Sequence, residues 1–228
     1  SGDGIFISEE ILLNFQRCQR RAFLDTFGDR THRDPPSDYL QKLHQDSINH
    51  QHTVIAQHQP VVEPIYPHRD WVTATTATLD LMAQGAERIA HGVLLMTQTD
   101  GTRLLSRPRL LIKQPGASRF GDWHYAPADI KLGKRAKSDY QVIAAYHTYV
   151  LSLAQQAWPE KSWLFLRHQN LYEVNLFDQV PKMQDILDNC IQMVRQQQEP
   201  DVFISRNRCD LCHWFSHCYG VATADHHL

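Results

Sequence analysis

Apolar residues recur at three- and four-residue spacing along several stretches of the chain, and elsewhere they form short runs. The wider spacing places apolar side chains on one helix face, so it predicts helices over 8–24, 39–59, 78–91, 138–153 and 182–197. Ser8 is suited to cap the first of these helices, and Gly92 is suited to end the third. The short apolar runs predict strands over 93–96, 103–105, 109–113, 125–131, 163–166 and 171–176.

The order of these elements predicts an α/β fold in which a small mixed sheet is flanked by helices. Asp100-Gly101 is typical of a hairpin turn, and the loop 114–120 leads into the strand 125–131, so three neighbouring strands are expected in hairpin order. Prolines interrupt 60–71 and predict an extended segment or an edge strand there.

The amino-acid composition and charge limit the classes of protein to which the chain can belong. The 228 residues are 42% hydrophobic and include five tryptophans, which is enough to bury a core as one domain or one domain with a small appendage. A formal net charge of -2 argues against a protein wrapped wholly in nucleic acid but leaves a local basic groove open. We find neither a run of about 18 apolar residues nor a charged and then apolar leader, so the expectation is a cytoplasmic protein without a membrane span.

The cysteines form the most specific pattern in the chain. Cys209, Cys212 and Cys218 have the spacing C-x2-C-x5-C, and Cys18 stands alone among arginines near the other end. Four thiolates can hold zinc or an iron–sulfur cluster. A disulfide framework is the competing interpretation, and it is less favoured because a chain of this size without a secretion signal does not need one. Cys190 lies within an apolar pattern and is expected to be a buried small hydrophobe.

Asp129 and Lys131 are two residues apart on a predicted strand, so their side chains share a face. A carboxylate can hold a divalent cation, and a neighbouring lysine can orient or deprotonate a water bound to that cation. This is the chemistry of phosphodiester hydrolysis, although an exposed edge strand can carry the same pair. The turn that follows contains Lys134, Arg135 and Lys137, which suits binding to a phosphate backbone or, alternatively, a solvated turn.

The combination resembles the PD-(D/E)XK nucleases of the RecB and Cas4 type. It is most similar to the bacterial RecB-like putative nucleases in which a [4Fe-4S] cluster joins the two ends of the nuclease domain. The resemblance lies in Asn14–Cys18 with Arg20–Leu24, in Gly121–Lys131, and in Cys209–Tyr219. It spans almost the whole chain and implies a single RecB/Cas4-like nuclease domain over 1–228, with a restriction-endonuclease-like mixed sheet.

The resemblance also implies roles for individual residues. The cluster ligands would be Cys18, Cys209, Cys212 and Cys218. His50 corresponds to the motif histidine, and Asp129 and Lys131 correspond to the acid and lysine of the third motif. Gln141 begins a helix like the family's Q-x-x-x-Y segment, although Tyr146 falls one residue late. An intact site would bind Mg²⁺ or Mn²⁺ through acidic side chains, including Asp129, and His50, with a water activated near Lys131.

Two positions depart from the family pattern. Arg109 aligns with the principal metal-binding aspartate, and Ser47 replaces the glycine of the histidine motif. A guanidinium stays protonated, so this change removes a negative charge from the metal site and adds a positive one. At about 4 Å and an effective dielectric near 20, its repulsion of a divalent ion is several kcal/mol. Metal binding should suffer unless a carboxylate substitutes from nearby, for which the candidates are Glu63, Asp100 and Asp122.

Three hypotheses follow. The first is a metal-dependent DNA nuclease of this family whose activity is impaired by Arg109. The second is a non-catalytic scaffold that binds nucleic acid, through Arg109 and the turn carrying Lys134, Arg135 and Lys137, or binds a protein partner. The third is a zinc-ribbon-like binding module without nuclease ancestry, which leaves the Asp129–Lys131 region unexplained.

Overall fold

The computed structural model describes residues 5–224. The helices of this part of the chain are α1 (Glu9–Arg17), α2 (Gln19–Phe27), α3 (Asp38–Gln57), α4 (Trp71–Ala83), α5 (Ser138–Gln155), α6 (Leu176–Gln196), α7 (Arg206–Cys209) and α8 (Phe215–Ala224). The strands are β1 (Phe6–Ser8), β2 (Arg88–Ala90), β3 (Leu94–Thr97), β4 (Arg103–Ser106), β5 (Leu110–Ser118), β6 (Gly121–Ile130), β7 (Trp163–Phe165) and β8 (Leu171–Glu173).

These strands form two mixed sheets flanked by helices, which confirms the α/β class. The larger sheet has the order β2-β5-β6-β7-β8, in which only β6 and β7 run parallel. The smaller sheet has the order β1-β4-β3, with β1 parallel to β4. The hairpin β3–β4 is confirmed, but its strands do not continue into β5, so the single sheet with three strands in hairpin order is wrong. The chain crosses from one sheet to the other between Ser106 and Leu110.

Helix α5 lies between the two sheets and holds them together. Val142, Ile143 and Val150 are buried in the main core on this helix. The Tyr146 hydroxyl contacts two main-chain carbonyl oxygens of the smaller sheet, Ile7 and Leu105, each at 3.0 Å. Because α5 packs against both sheets, the orientation of this helix is fixed, and so are the positions of its polar side chains.

The expected helix over 78–91 is wrong in position. α4 ends at Ala83, Gly85 takes a left-handed conformation with φ +72°, and Ile89 is paired within β2. The spacing of the apolar residues over 78–91 matches the helix period only by coincidence. Gly92 does not end a helix either, because α4 has ended at Ala83 and β2 lies between them. Gly92 is buried, and an added Cβ there would lie 2.9 Å from the Leu111 side chain.

The expected helix over 8–24 is interrupted at Cys18. The residue is extended (φ -163°, ψ 114°), and its Sγ accepts the Arg21 amide at 3.4 Å, so Cys18 caps α2. Ser8 caps α1 as expected, with its hydroxyl accepting the Ile11 amide. The break turns the cysteine side chain away from a continuous helix face.

The expected loop over 114–120 is mostly strand. β5 continues to Ser118 and pairs with β6 through a long antiparallel hairpin, with irregular register between Pro115 and Ser118. Within residues 5–224, no helix is both long and apolar enough to cross a membrane.

Candidate functional site

Asp129 lies near the end of β6, at the centre of the larger sheet. Its side chain is almost fully buried, with 4% of the residue exposed. The structure brings it into contact with Lys131, whose Nζ lies 2.6 Å from Asp129 Oδ2. The other carboxylate oxygen accepts the Ile130 amide at 3.0 Å. Asp129 is therefore held by a charged partner and a main-chain donor before any ligand binds.

His147 is the nearest functional side chain that sequence reasoning missed. It projects from α5, and its Nε2 lies 3.9 Å from Asp129 Oδ2. Its Nδ1 forms a 2.7 Å hydrogen bond with the Ser106 hydroxyl of β4. Burial lowers the pKa of His147 to about 4, so the ring is neutral at pH 7 and its contact with Asp129 is not an ion pair. No sequence spacing links these three residues, since they come from three separate elements.

The charge on Asp129 depends on its cationic neighbours. Burial raises the pKa of the carboxyl, but the positive charge and hydrogen bond of Lys131, with a contribution from the charge of Arg109, outweigh burial and lower the pKa below its ordinary value. Asp129 is therefore ionised at pH 7 and compensated by cations.

A second buried acid, Glu9, was also missed. It lies in the first turn of α1, and its Oε1 accepts a 2.6 Å bond from Arg107 Nε. Its Oε2 is buried without a hydrogen-bond partner in the described part of the chain. Burial raises the pKa of Glu9 against the opposing effect of Arg107, and the charge of Asp129 raises it further. Glu9 and Asp129 thus influence each other, but Arg107 occupies one Glu9 oxygen.

Arg109 immediately precedes β5, whose Leu110 is paired with Ala128 of β6. The register therefore sets Arg109 beside Asp129, and its positive charge lowers the pKa values of both Asp129 and His147. Arg109 is half-buried, and among residues 5–224 it forms neither an ion pair nor a side-chain hydrogen bond. An unpaired guanidinium in a partly dry site favours an anionic ligand.

Arg109 and Lys131 open into a cleft of about 690 Å³ between α3, the end of β6 and the start of α5. Its lining is basic and aromatic, with five cations, one acid and two tyrosines: Lys42, Arg109, Lys131, Lys137, Arg167, Asp46, Tyr39 and Tyr140. Lys131 and Lys137 lie 5.2 and 5.9 Å from the Tyr140 ring centre. We call this surface the cleft.

The other two residues implied by the resemblance, His50 and Gln141, lie near the cleft and make different contacts. His50 is half-buried on α3, and its Nε2 is buried without a hydrogen-bond partner among the described residues. Burial lowers the pKa of His50, assisted by Arg167 and opposed by the Lys131 backbone. Gln141 is occupied elsewhere, because its amide nitrogen donates to Ala136 O at 2.8 Å and its oxygen accepts from a tyrosine hydroxyl at 3.3 Å.

The basic residues of the turn after Lys131 do not all face the cleft. Lys137 lines the cleft, whereas Lys134 and Arg135 are exposed outside that lining. The three carboxylates that were candidates to replace the motif aspartate do not lie beside Asp129. Asp122 is exposed at the opposite end of β6, Asp100 pairs with an arginine of α6 at 3.2 Å, and Glu63 lies 4.0 Å from a histidine.

The four cysteines Cys18, Cys209, Cys212 and Cys218 line a single pocket, together with Arg20, Arg21 and Trp214 among others. All five cysteines are free, so the disulfide alternative is not formed, and Cys190 is fully buried in the core as expected. Burial raises the pKa values of Cys212 and Cys218, and nearby arginines act in the opposite direction. We call this surface the cysteine pocket.

The donor set of the cysteine pocket suits a thiolate-bound group. Four thiolates can hold either zinc or an iron–sulfur cluster. In the described range 5–224, no three His, Cys, Asp or Glu side chains are grouped closely enough to hold one metal ion as they stand.

Asp25 of α2 attaches the cysteine-bearing segment to the rest of the fold. Its Oδ1 accepts from Arg33 at 2.7 Å, from His213 Nε2 at 2.7 Å and from Trp214 Nε1 at 2.8 Å. Its Oδ2 accepts from Asn14 at 2.9 Å. Burial raises the pKa of Asp25, but these donors outweigh it and lower the pKa overall. The segment is thus positioned by contacts that need no metal.

The chain matches no known family model, and a search of curated proteins also finds no match.

Proposed function

We propose that the protein is a nuclease-like scaffold of RecB/Cas4 type that binds the phosphate backbone of DNA in the cleft and does not assemble a competent metal site. The observation that carries this proposal is Arg109, an unpaired guanidinium beside Asp129 at the position of the motif aspartate. The mixed larger sheet, with Asp129 and Lys131 at the end of its central strand, fits the restriction-endonuclease-like arrangement that the motifs imply.

The charges at Asp129 favour an anion over a divalent cation. Mg²⁺ and Mn²⁺ are bound through carboxylate oxygens and water. Here Asp129 already contacts Lys131 at 2.6 Å, and Glu9 is bonded to Arg107 at 2.6 Å. An incoming cation would have to displace these partners and approach Arg109 as well. A phosphate would instead find Arg109 and Lys131 facing the same space.

The rest of the cleft suits a nucleic acid rather than a simple anion. Phosphate is bound chiefly by lysine and arginine, and five such residues line the cleft against one acid. Tyr39 is largely exposed and Tyr140 is half-buried, so two aromatic rings are available beside these cations. Aromatic rings bind bases by stacking, with little dependence on sequence.

The test is binding of labelled DNA in EDTA across a salt series, with Arg109→Gln compared with Arg30→Gln. Arg30 is an exposed arginine outside the cleft, so it controls for loss of one positive charge. We expect wild type to bind, and Arg109→Gln to weaken binding about tenfold and lower the salt slope by about one. A folded protein that binds no DNA at low salt contradicts the proposal and favours a protein partner.

A metal-dependent nuclease is the second candidate, favoured by the 3.9 Å separation of His147 Nε2 and Asp129 Oδ2. Asp129 and His147 would supply ligands for Mg²⁺ or Mn²⁺, which provides an activated water when bound. Together with His50 they do not form a closed set of three ligands in the described range. Ser106 fixes the orientation of His147, and Lys131 holds the Asp129 carboxylate in its charged form. DNA cleavage with Mn²⁺ that disappears in Asp129→Ala would establish this candidate. If Arg109→Asp cleaves and wild type does not, the scaffold is intact and disabled by Arg109.

For the cysteine pocket we propose a structural [4Fe-4S] cluster held by Cys18, Cys209, Cys212 and Cys218, with zinc as the alternative. The four cysteines that line one pocket support this assignment. A cluster that joined Cys18 to the segment 209–218 would close a loop of about 190 residues, which restricts the unfolded chain and so stabilises the fold. Anaerobic purification followed by iron, sulfide and zinc analysis distinguishes the two groups, because only the cluster absorbs visible light.

A further inference from the structure

A second pocket, of about 310 Å³, shares Arg109 with the cleft. We call it the side pocket. Its lining includes basic and aromatic side chains from the loop before α4, the segment after β2 and the crossing into β5: Tyr66, Arg69, Trp71, His91, Arg107 and Arg109. Neither the family motifs nor the proposed DNA contacts of the cleft involve this loop.

Backbone strain is concentrated at the side pocket. Five non-glycine residues in the described range have positive φ, and two of these are helix C-caps, where the left-handed conformation is common. Another lies in the short 3-10 turn Arg167–Gln169. The other two are Arg69 (φ 63°) and His91 (φ 53°), and both line the side pocket. Each costs about 1 kcal/mol or more, and strain of this kind clusters at binding sites.

One arginine of the side pocket is fixed in place and two remain available. Arg107 is bonded to Glu9 at 2.6 Å, lies 3.8 Å from Glu10, and stacks 5.4 Å from the Trp71 ring centre. Arg69 and Arg109 form no ion pair among residues 5–224. Neither guanidinium is therefore bound to a carboxylate, although Arg109 lies within electrostatic reach of Asp129, while Arg107 and Trp71 are held against each other.

His91 adds a neutral hydrogen-bonding group. Burial lowers the pKa of His91 despite the opposing effect of Glu63, whose carboxylate lies 4.0 Å from Nε2. Tyr66 is half-buried and, like Trp71, packs against a small core of Ala74, Val93 and Leu105. The side pocket thus combines two free guanidiniums, a neutral imidazole and an anchored aromatic ring.

We propose that the side pocket is a second nucleotide subsite for the strand that occupies the cleft. Arg109 contacts the phosphate at the junction of the two pockets, Arg69 contacts a further phosphate, and Tyr66 and His91 contact the sugar and base between them. This inference rests on the proposed binding of DNA in the cleft. It predicts that a strand long enough to cross Arg109 gains affinity from the loop that carries Arg69.

The test compares labelled DNA strands of about 4 and about 20 nucleotides, a range that brackets the roughly 4–16 nucleotides of typical single-strand sites. The variants are Arg69→Asn and His91→Asn, because asparagine tolerates the left-handed conformation. Arg30→Asn is the matched loss of a distant charge, and thermal unfolding of every variant checks the fold. We expect Arg69→Asn to weaken binding of the long strand about fivefold to tenfold and to lower its salt slope by about one. The short strand, which the cleft alone can hold, should bind as in wild type.

Equal losses for both strands, or a loss no larger than that of Arg30→Asn, would overturn the second subsite while leaving DNA binding in the cleft intact. If wild type binds neither strand, the proposed function and the second subsite both fail. A His91→Asn variant that weakens only the long strand supports the subsite without any change in charge.

Discussion

The cleft and the cysteine pocket differ in how their polar groups are satisfied. Beside the cleft, Asp129 has Lys131 at 2.6 Å and Glu9 has Arg107 at 2.6 Å, so each of these buried carboxylates has a cationic partner within the fold. In the cysteine pocket, the amides of Arg21 and Ser205 donate to cysteine sulfurs, each at 3.4 Å. The carboxylates of the first region already have cationic partners. The second region has four thiols, which the proposed cluster would bind.

The two regions also differ in how the chain builds them. Neighbouring strands β5 and β6 set Arg109 beside Asp129 through their register. The cysteine pocket joins segments far apart in sequence, and Asp25 makes that connection. Local strand pairing therefore places Arg109 beside Asp129, whereas the cysteine pocket depends on contacts between segments far apart in sequence.

The largest expected effect is a difference in metal content between a variant of a proposed ligand cysteine and a variant of the core cysteine. Cys18→Ser should abolish bound iron or zinc, while Cys190→Ser should retain it, because Cys190 is buried away from the pocket. Serine is a good N-cap, so the start of α2 is preserved and the loss reports on the ligand. Metal analysis and visible absorbance provide the measurement. Full metal content in Cys18→Ser would remove that residue from the ligand set.

Asp25→Ala tests whether docking of the cysteine segment is independent of metal. The change leaves Arg33, His213 and Trp214 without their shared acceptor, so we expect a loss of about 3 kcal/mol in the free energy of unfolding. Urea unfolding of metal-free protein measures it. Asp29→Ala, an exposed capping residue, should cost less than about 1 kcal/mol. Similar losses in the two variants would mean that Asp25 does not secure the segment.

His147 makes the stability of the cleft region dependent on pH. Its folded-state pKa of about 4 lies below its ordinary value of 6.5, so between these values the unfolded chain binds a proton that the folded chain excludes. Stability from this residue is complete above pH 6.5 and is lost as the pH falls towards 4, by about 3 kcal/mol.

The comparison variants are His147→Gln and His52→Gln. His147→Gln should flatten the dependence of the unfolding free energy on pH across this window. His52 is exposed, so its substitution should leave the slope unchanged. An unchanged slope in His147→Gln would contradict a neutral buried imidazole.

The smallest expected effect concerns the basic turn. Lys137→Gln should weaken DNA binding severalfold and lower the salt slope by about one, since Lys137 lines the cleft. Lys134→Gln and Arg135→Gln should each weaken it less than about twofold, because both side chains are exposed outside that lining. Equal losses for all three would indicate a diffuse basic surface instead of a defined cleft.

The spacing of apolar residues was enough to predict those helices and strands whose buried face follows the period of the element. Helices α3 and α5 were predicted to within a few residues, and the pairing of Asp129 with Lys131 follows from strand alternation. The predicted helix over 78–91 was wrong because Ile89 had a helix-like spacing but is paired with Leu111 in a sheet. The break at Cys18 escaped prediction because both flanking sequences favour helix.

The missed residues of the site are those assembled by tertiary contacts. Glu9 was identified only as part of a helix start, and His147 follows Tyr146 within an apolar helix. Their approach to Asp129 depends on how α1 and α5 pack on the sheets, which no short-range pattern encodes. A buried polar residue inside an otherwise apolar helix was the one available signal for His147.

The Asp25–Trp214 hydrogen bond spans 189 residues of sequence. Contacts of such high sequence separation slow folding, because loop-closure entropy is lost before the contact forms. On the ribosome, α1 and α2 emerge well before Trp214, so their packing stays incomplete until the cysteine segment has been synthesised. During that interval the buried face of α2 is exposed, and exposed apolar surface of this kind favours aggregation of the newly made chain.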